Sequence, residues 1–233
     1  MERRTYLGAL GVAGVTAVSG CLGLLDDDGA ENAVLPTQDE FLGDPEDYSY
    51  PAYGERLPAF ELPDPIAGET VDVTALERTA VVTTFFAACP AECGILIDNL
   101  AGAHAATVER DRHDEVVFLA ITFDPERDDA ERLRENAAVH GIDLDAGNWH
   151  YLRPETPEEA RTVVTDQLGI PFERTEESER LPSYDFSHTV VTVLANPGGV
   201  VERAFQGEHF DRERLVDDAV EIADGYDPDE HGV

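Results

Sequence analysis

Two cysteines four residues apart, Cys89-Pro90-Ala91-Glu92-Cys93, stand two alanines beyond the run Ala80-Val81-Val82-Thr83-Thr84-Phe85-Phe86. A short run rich in β-branched and aromatic residues predicts a buried strand. A proline just past the first cysteine predicts a helix opening at about Pro90. Cys93 then lies roughly one turn on, and both sulfurs can face one point in space. Cys89 is expected at the positive end of that helix, which favours thiolate. On a helix, cysteines at this spacing have Cα atoms about 6 Å apart, inside the range for a disulfide. Paired thiols at such a corner can cycle between dithiol and disulfide, or hold a soft metal such as Cu(I). A static staple is the third reading, and a weak one, because so short a loop constrains little unfolded-chain entropy.

The third cysteine has a separate assignment. Arg3-Arg4-Thr5-Tyr6-Leu7 reads as a twin-arginine start, and Leu7 to Gly20 is a short apolar stretch of small residues. That stretch is too short to span a bilayer comfortably. Val18-Ser19-Gly20-Cys21 resembles a prokaryotic lipobox, so 1–20 is expected to be a cleaved signal peptide and Cys21 the lipidated residue. An ordinary signal peptide or an uncleaved anchor is the alternative. Export and attachment to the outer face of the cytoplasmic membrane follow, in a compartment where disulfides persist. Cys89 and Cys93 remain as a private pair.

Charge bounds the partners. The 233 residues carry 50 Asp and Glu against 16 basic residues, all arginine, for a net charge of -34. Such a surface repels nucleic acid. The acids are spread along the chain, which reads as adaptation to high salt rather than as an acidic tail. There is no phosphate-cradling glycine loop, no GxSxG elbow and no zinc-finger spacing.

Residues 21–57, rich in Asp, Gly, Pro and Tyr, predict a flexible acidic tether. A folded domain is expected over 58–226 and a tail over 227–233. Within the domain, Phe60-Glu61-Leu62 and Thr70-Val71-Asp72-Val73 predict a hairpin. Strands follow at 80–86, 116–123, around 149–152, at 188–195 and at 200–206. Helices are expected over about 90–109, 127–140, 156–168 and 210–224. The order β-α-β-α, then β-β-α, predicts an α/β domain with a central mixed sheet flanked by helices and an N-terminal hairpin extension. A dithiol at the end of the first core strand is what a thioredoxin-like fold provides.

His188, in Phe186-Ser187-His188-Thr189, is expected to open the 188–195 strand beside the dithiol helix. A neutral imidazole there could complete a three-coordinate Cu(I) site, or could be a solvated strand-edge residue. Residues 57–224 resemble the SCO/SenC family of thioredoxin-like copper chaperones. The likeness runs through Phe85-Phe86 with Cys89-Pro90-Ala91-Glu92-Cys93, then Ile121-Thr122-Phe123-Asp124-Pro125-Glu126-Arg127-Asp128, then Ser187-His188-Thr189. The resemblance implies that Cys89, Cys93 and His188 bind one copper ion per domain, as Cu(I) and also as Cu(II). It implies a partner in the second subunit of a terminal oxidase or another copper-site protein, served by copper delivery or by reduction of its cysteines, with a thiol reductant upstream. A metal-free thiol-disulfide oxidoreductase, with Cys89 and Cys93 as the redox-active pair, is the rival.

Two positions depart from the family pattern, Gly94 in place of proline and Ser187 in place of aspartate. Asp124-Pro125-Glu126-Arg127-Asp128 is read as structural, its acids complementing a helix dipole. His104, His113, His140, His150, His209 and His231 are read as surface or capping residues, and Trp149 and Tyr151 as sheet packing.

Overall fold

The structure, a computed structural model, describes residues 30–37, 48–89, 92–175 and 184–231. Its centre is built on β3 (Thr79–Phe85) and β4 (Val116–Thr122), both buried at every residue. Continuous apolar runs of this kind are strands covered on both faces. They pair in parallel, and β5 (Trp149–Leu152) adds a third parallel strand, with Phe118 opposite both Val81 and Trp149. On the other side β8 (Val191–Ala195) runs antiparallel to β3, and β9 (Val201–Gln206) antiparallel to β8. The five-stranded mixed sheet is therefore ordered β5-β4-β3-β8-β9.

The helices follow from their caps. α1 (Glu92–Glu109) connects β3 to β4 and buries Cys93, Leu96, Ile97 and Leu100. α2 (Ala130–His140) begins at Asp129, whose carboxylate accepts from the Arg132 amide, and ends at Gly141 in the left-handed conformation. Those two signals delimit the helix expected over 127–140. α4 (Arg212–Gly225), capped by Asp211, buries Leu215, Val216, Ala219 and Ile222 and packs on α1 and on β3 and β4. α3 (Pro157–Ala160) opens with the Thr156 cap and continues as a π-helical segment, Arg161–Gln167. α5 (Pro228–His231) lies in the stretch read as a tail. No described helix is long and apolar enough to cross a membrane.

The expected N-terminal hairpin is β1 (Glu61–Asp64) with β2 (Glu69–Asp72). Asp64 accepts from the amides of Ile66 and Ala67 at the turn, and its other oxygen lies 3.1 Å from His150 Nδ1 on β5. The hairpin is thereby latched to the edge of the central sheet.

Four expectations change. A second two-stranded sheet, β6 (Phe172–Thr175) with β7 (Asp185–His188), had no counterpart in the sequence reading. His188 closes β7 rather than opening the strand that follows. The Thr189 amide bonds to Pro171 O and the chain turns before β8 begins at Val191. Residues 30–37 and 48–57 are packed onto the domain where a flexible tether was expected. Leu35, Tyr50 and Ala52 are buried, and the buried Glu202 carboxylate accepts from the amides of Val34 and Leu35. Finally, His104 and His150 are buried: His104 bonds to Asn148 and packs edge-on against Phe118 and Trp149. The signal stretch 1–20, Cys21, the remainder of the tether and Pro90 lie outside the described residues.

Candidate metal centre

The end of β3 delivers the first thiol. After Phe85 and Phe86 the chain tightens, with the Cys89 amide donating to Phe86 O at 3.2 Å. Asp128 Oδ2 holds this loop by accepting from the Ala87 amide at 2.9 Å and from Thr122 Oγ1 at 2.5 Å. Cys89 is half-buried and Cys93, in the first turn of α1, is buried. The Cys93 amide donates to Cys89 Sγ at 3.4 Å, so the start of the helix directs an N–H at that sulfur.

His188 is brought in by β7. Its Nε2 lies 3.5 Å from Cys93 Sγ, and its ring packs against Phe86 and Phe123. Its Nδ1 lies 3.4 Å from Thr189 O. A carbonyl oxygen only accepts, so this contact places the ring proton on Nδ1 and leaves the Nε2 lone pair facing the sulfurs. Ligand atoms of Cys89, Cys93 and His188 all lie within 4.8 Å of one another. Neither cysteine is in a disulfide. The hydrogen bond with Cys89 pushes the Cys93 thiol far up, and burial pushes it further.

This donor set suits a soft ion. Three ligands about 2.0–2.3 Å from one centre stand about 3.5–4 Å apart in a trigonal plane. The 3.5 Å between Cys93 Sγ and His188 Nε2 meets that spacing without movement. Two thiolates and an imidazole match Cu(I) chemistry. Beside the imidazole a cavity of about 420 Å³, lined by Arg161, Thr165, Phe172, His188 and Thr189 among others, leaves one side of the site open.

The two departures are accommodated. A Cβ placed at Gly94 would meet nothing within 4 Å, so no neighbour dictates glycine there. Ser187 is exposed, and the ring contact an acid could have supplied is made by Thr189 O.

The turn Asp124–Asp128 does more than complement a helix dipole. Arg127 binds Asp124 and donates to Tyr184 O at 3.0 Å, and Tyr184 OH donates to Asp124 Oδ1 at 2.8 Å. Sequence reading missed Asp128, Arg127 and Tyr184 as parts of the site's frame. The available signal was a single arginine in a turn otherwise rich in acids.

Comparison with known proteins bears on the fold and the family. Copper-bound ScoI of Arabidopsis thaliana superposes with a TM-score of 0.59 at 23% identity, covering 73% of this chain and 99% of that one. A SCO1/SenC family lipoprotein of Bacillus anthracis gives 0.57 at 16% identity, over 75% of this chain and 96% of that one. BsSco, described as a Sco family cytochrome c oxidase assembly protein with a disulfide switch, gives 0.59 at 15% identity, over 77% and 98%. At these identities the likeness establishes a thioredoxin-like fold. No curated protein matches the chain. A model of the SCO1/SenC family matches residues 55–224, well over half of the sequence and every element from β1 to nearly the end of α4, so the protein belongs to the SCO1/SenC family.

Proposed function

We propose that the protein is a copper metallochaperone that carries one copper ion on Cys89, Cys93 and His188. The observation that carries this reading is the convergence of three soft or borderline donors from separate segments, with their ligand atoms within 4.8 Å of one another. The copper is cargo: its arrival displaces the thiol protons, and oxidation of the pair to a disulfide switches binding off. The destination is the copper centre in the second subunit of a terminal oxidase, or another extracytoplasmic copper protein, served by copper delivery or by reduction of its cysteines. Oxidase assembly is the role attached to BsSco and is carried over from there. The anchoring reading is an exported lipoprotein, tethered through Cys21 to the outer face of the cytoplasmic membrane and serviced there by a thiol reductant.

The rival reading, thiol-disulfide exchange without metal, is favoured by the asymmetry of the pair. Cys89 is the more exposed sulfur and would attack, and the buried Cys93 would resolve. Titration of Cu(I) into the reduced protein against a competing chelator separates the two. One tight equivalent, abolished in Cys89→Ser and weakened in His188→Ala, is the expected result. Absence of stoichiometric copper uptake would leave dithiol exchange as the function.

A further inference from the structure

We infer that Arg127 is a positioning residue for His188, and that the turn Asp124–Asp128 sets the distance between the histidine and the dithiol. This rests on the copper reading above. His188 belongs to the β6–β7 sheet, which is separate from the five-stranded sheet that carries the cysteine loop. Something must hold these two bodies in register, because a ligand displaced by about 1 Å is a ligand lost.

The turn after β4 contacts both. On one side, Asp128 accepts from the Ala87 amide, two residues before Cys89. On the other, Arg127 binds the residue just before β7: its Nη1 donates to Tyr184 O, and its guanidinium lies 3.8 Å from the centre of the Tyr184 ring. Arg174 of β6 stacks on Tyr184 as well, at 3.6 Å, and bonds to Glu126 of the same turn. Tyr184 is thus in contact with two guanidinium groups, while its hydroxyl donates to Asp124. Burial and the Asp124 carboxylate push that hydroxyl up to about 12, so it remains a donor at any ordinary pH.

The guanidinium of Arg127 also lies 5.5 Å from the Phe86 ring and 5.9 Å from the Phe186 ring. Phe86 and Phe186 are neighbours in the aromatic cluster against which His188 packs. Apolar contact among these rings attaches the hairpin, but flat rings can slide over one another. The planar fork of Arg127 binds Asp124 and the Tyr184 carbonyl together, which fixes position as well as proximity. Its Nη2 is buried with no hydrogen-bond partner among the described residues. A partly buried ion pair that leaves one donor unsatisfied is a poor device for stability alone, which favours a role in specifying geometry.

The test is a double-mutant cycle on copper affinity in the reduced full chain, read by Cu(I) competition. Arg127→Lys keeps the charge and removes the fork. It is expected to weaken Cu(I) binding about 10- to 100-fold, the range for residues that orient a metal ligand. Arg127→Lys combined with His188→Ala should bind no more weakly than His188→Ala alone. In the Cu(II) form, nitrogen hyperfine coupling in the electron paramagnetic resonance spectrum should diminish in Arg127→Lys, a change that a loss of stability alone would not produce. Tyr184→Phe, a milder change that deletes one hydroxyl, should move affinity the same way by a few-fold and serves if the lysine variant does not fold. Wild-type affinity with unchanged nitrogen coupling in these variants overturns the inference, as does an Arg127→Lys penalty of equal size in the His188→Ala background. A wild-type protein that takes up no copper overturns the underlying copper reading and the inference with it. A wild type that binds tightly beside a normal Arg127→Lys overturns the inference alone.

Discussion

Asp128 is a carboxyl group in surroundings that disfavour its charge. Burial pushes it up to about 6, against the opposing effect of hydrogen bonds from Thr122 and Ala87, and the neighbouring Asp124 adds to the rise. A carboxyl whose native pKa lies above its unfolded value binds protons more tightly in the folded state. Stability from this group is therefore present below about pH 4 and is lost as the pH rises toward 6. The full effect is about 3 kcal/mol by the size of the shift. In metal-free protein, Asp128→Asn is expected to gain about 2–3 kcal/mol relative to wild type between pH 4.5 and pH 7, measured by denaturant unfolding at constant salt. A constant difference between the two proteins over that range would refute the assignment. At this scale, what was legible in sequence was what is local. Cys89 and Cys93 declare themselves by spacing, whereas His188 stood out only through the family likeness of its flanking residues. Asp128 was invisible as a loop anchor because its partner, the Ala87 amide, lies 41 residues away.

Among the elements, the buried strands and capped helices were predictable because each carries its own signal: continuous apolar runs in β3 and β4, Asp129 and Gly141 around α2. The β6–β7 hairpin carried none. Phe172-Glu173-Arg174-Thr175 is exposed at three of its four positions, so no alternation of burial marks it as a strand. It is held by aromatic and cation–π contacts with distant segments, which sequence periodicity does not encode. The packed N-terminal segment was misread for a related reason, since its docking depends on the close approach of Ser49 to the end of the π-helical segment. There Gly169 has φ 65°, and a Cβ would lie 1.6 Å from Ser49 O. Gly169→Ala is accordingly expected to cost about 2–4 kcal/mol, combining left-handed backbone strain with a clash against main chain. Loss of less than about 0.5 kcal/mol in thermal or chemical unfolding would show that the N-terminal segment simply moves away.

For the molecule as a whole, charge outweighs local pairing. Arg110 with Asp217, Arg112 with Asp224, and Arg132 with Glu135 pair at or near the surface, but sixteen arginines cannot balance fifty acids. Exposed pairs of this kind each contribute little. The sum of unbalanced carboxylates opposes the compact state unless salt screens it. The denaturation midpoint is expected to rise steadily as NaCl is increased from about 0.1 M to about 2 M, where the Debye length falls below about 3 Å. A midpoint that stays flat or falls would argue against self-repulsion as the dominant global term.

The β6–β7 sheet pairs with no strand of the central sheet and is joined to the rest through Arg127, Arg174 and a cluster of rings, so it is expected to open as a unit of its own. Such units open at lower free energy than the core to which they are attached. Opening this one withdraws the imidazole while both sulfurs remain in place on the main body. On the proposed assignment the residence time of the ion is then set by how often a hairpin lifts, and two chaperones of equal affinity could release their cargo at very different rates.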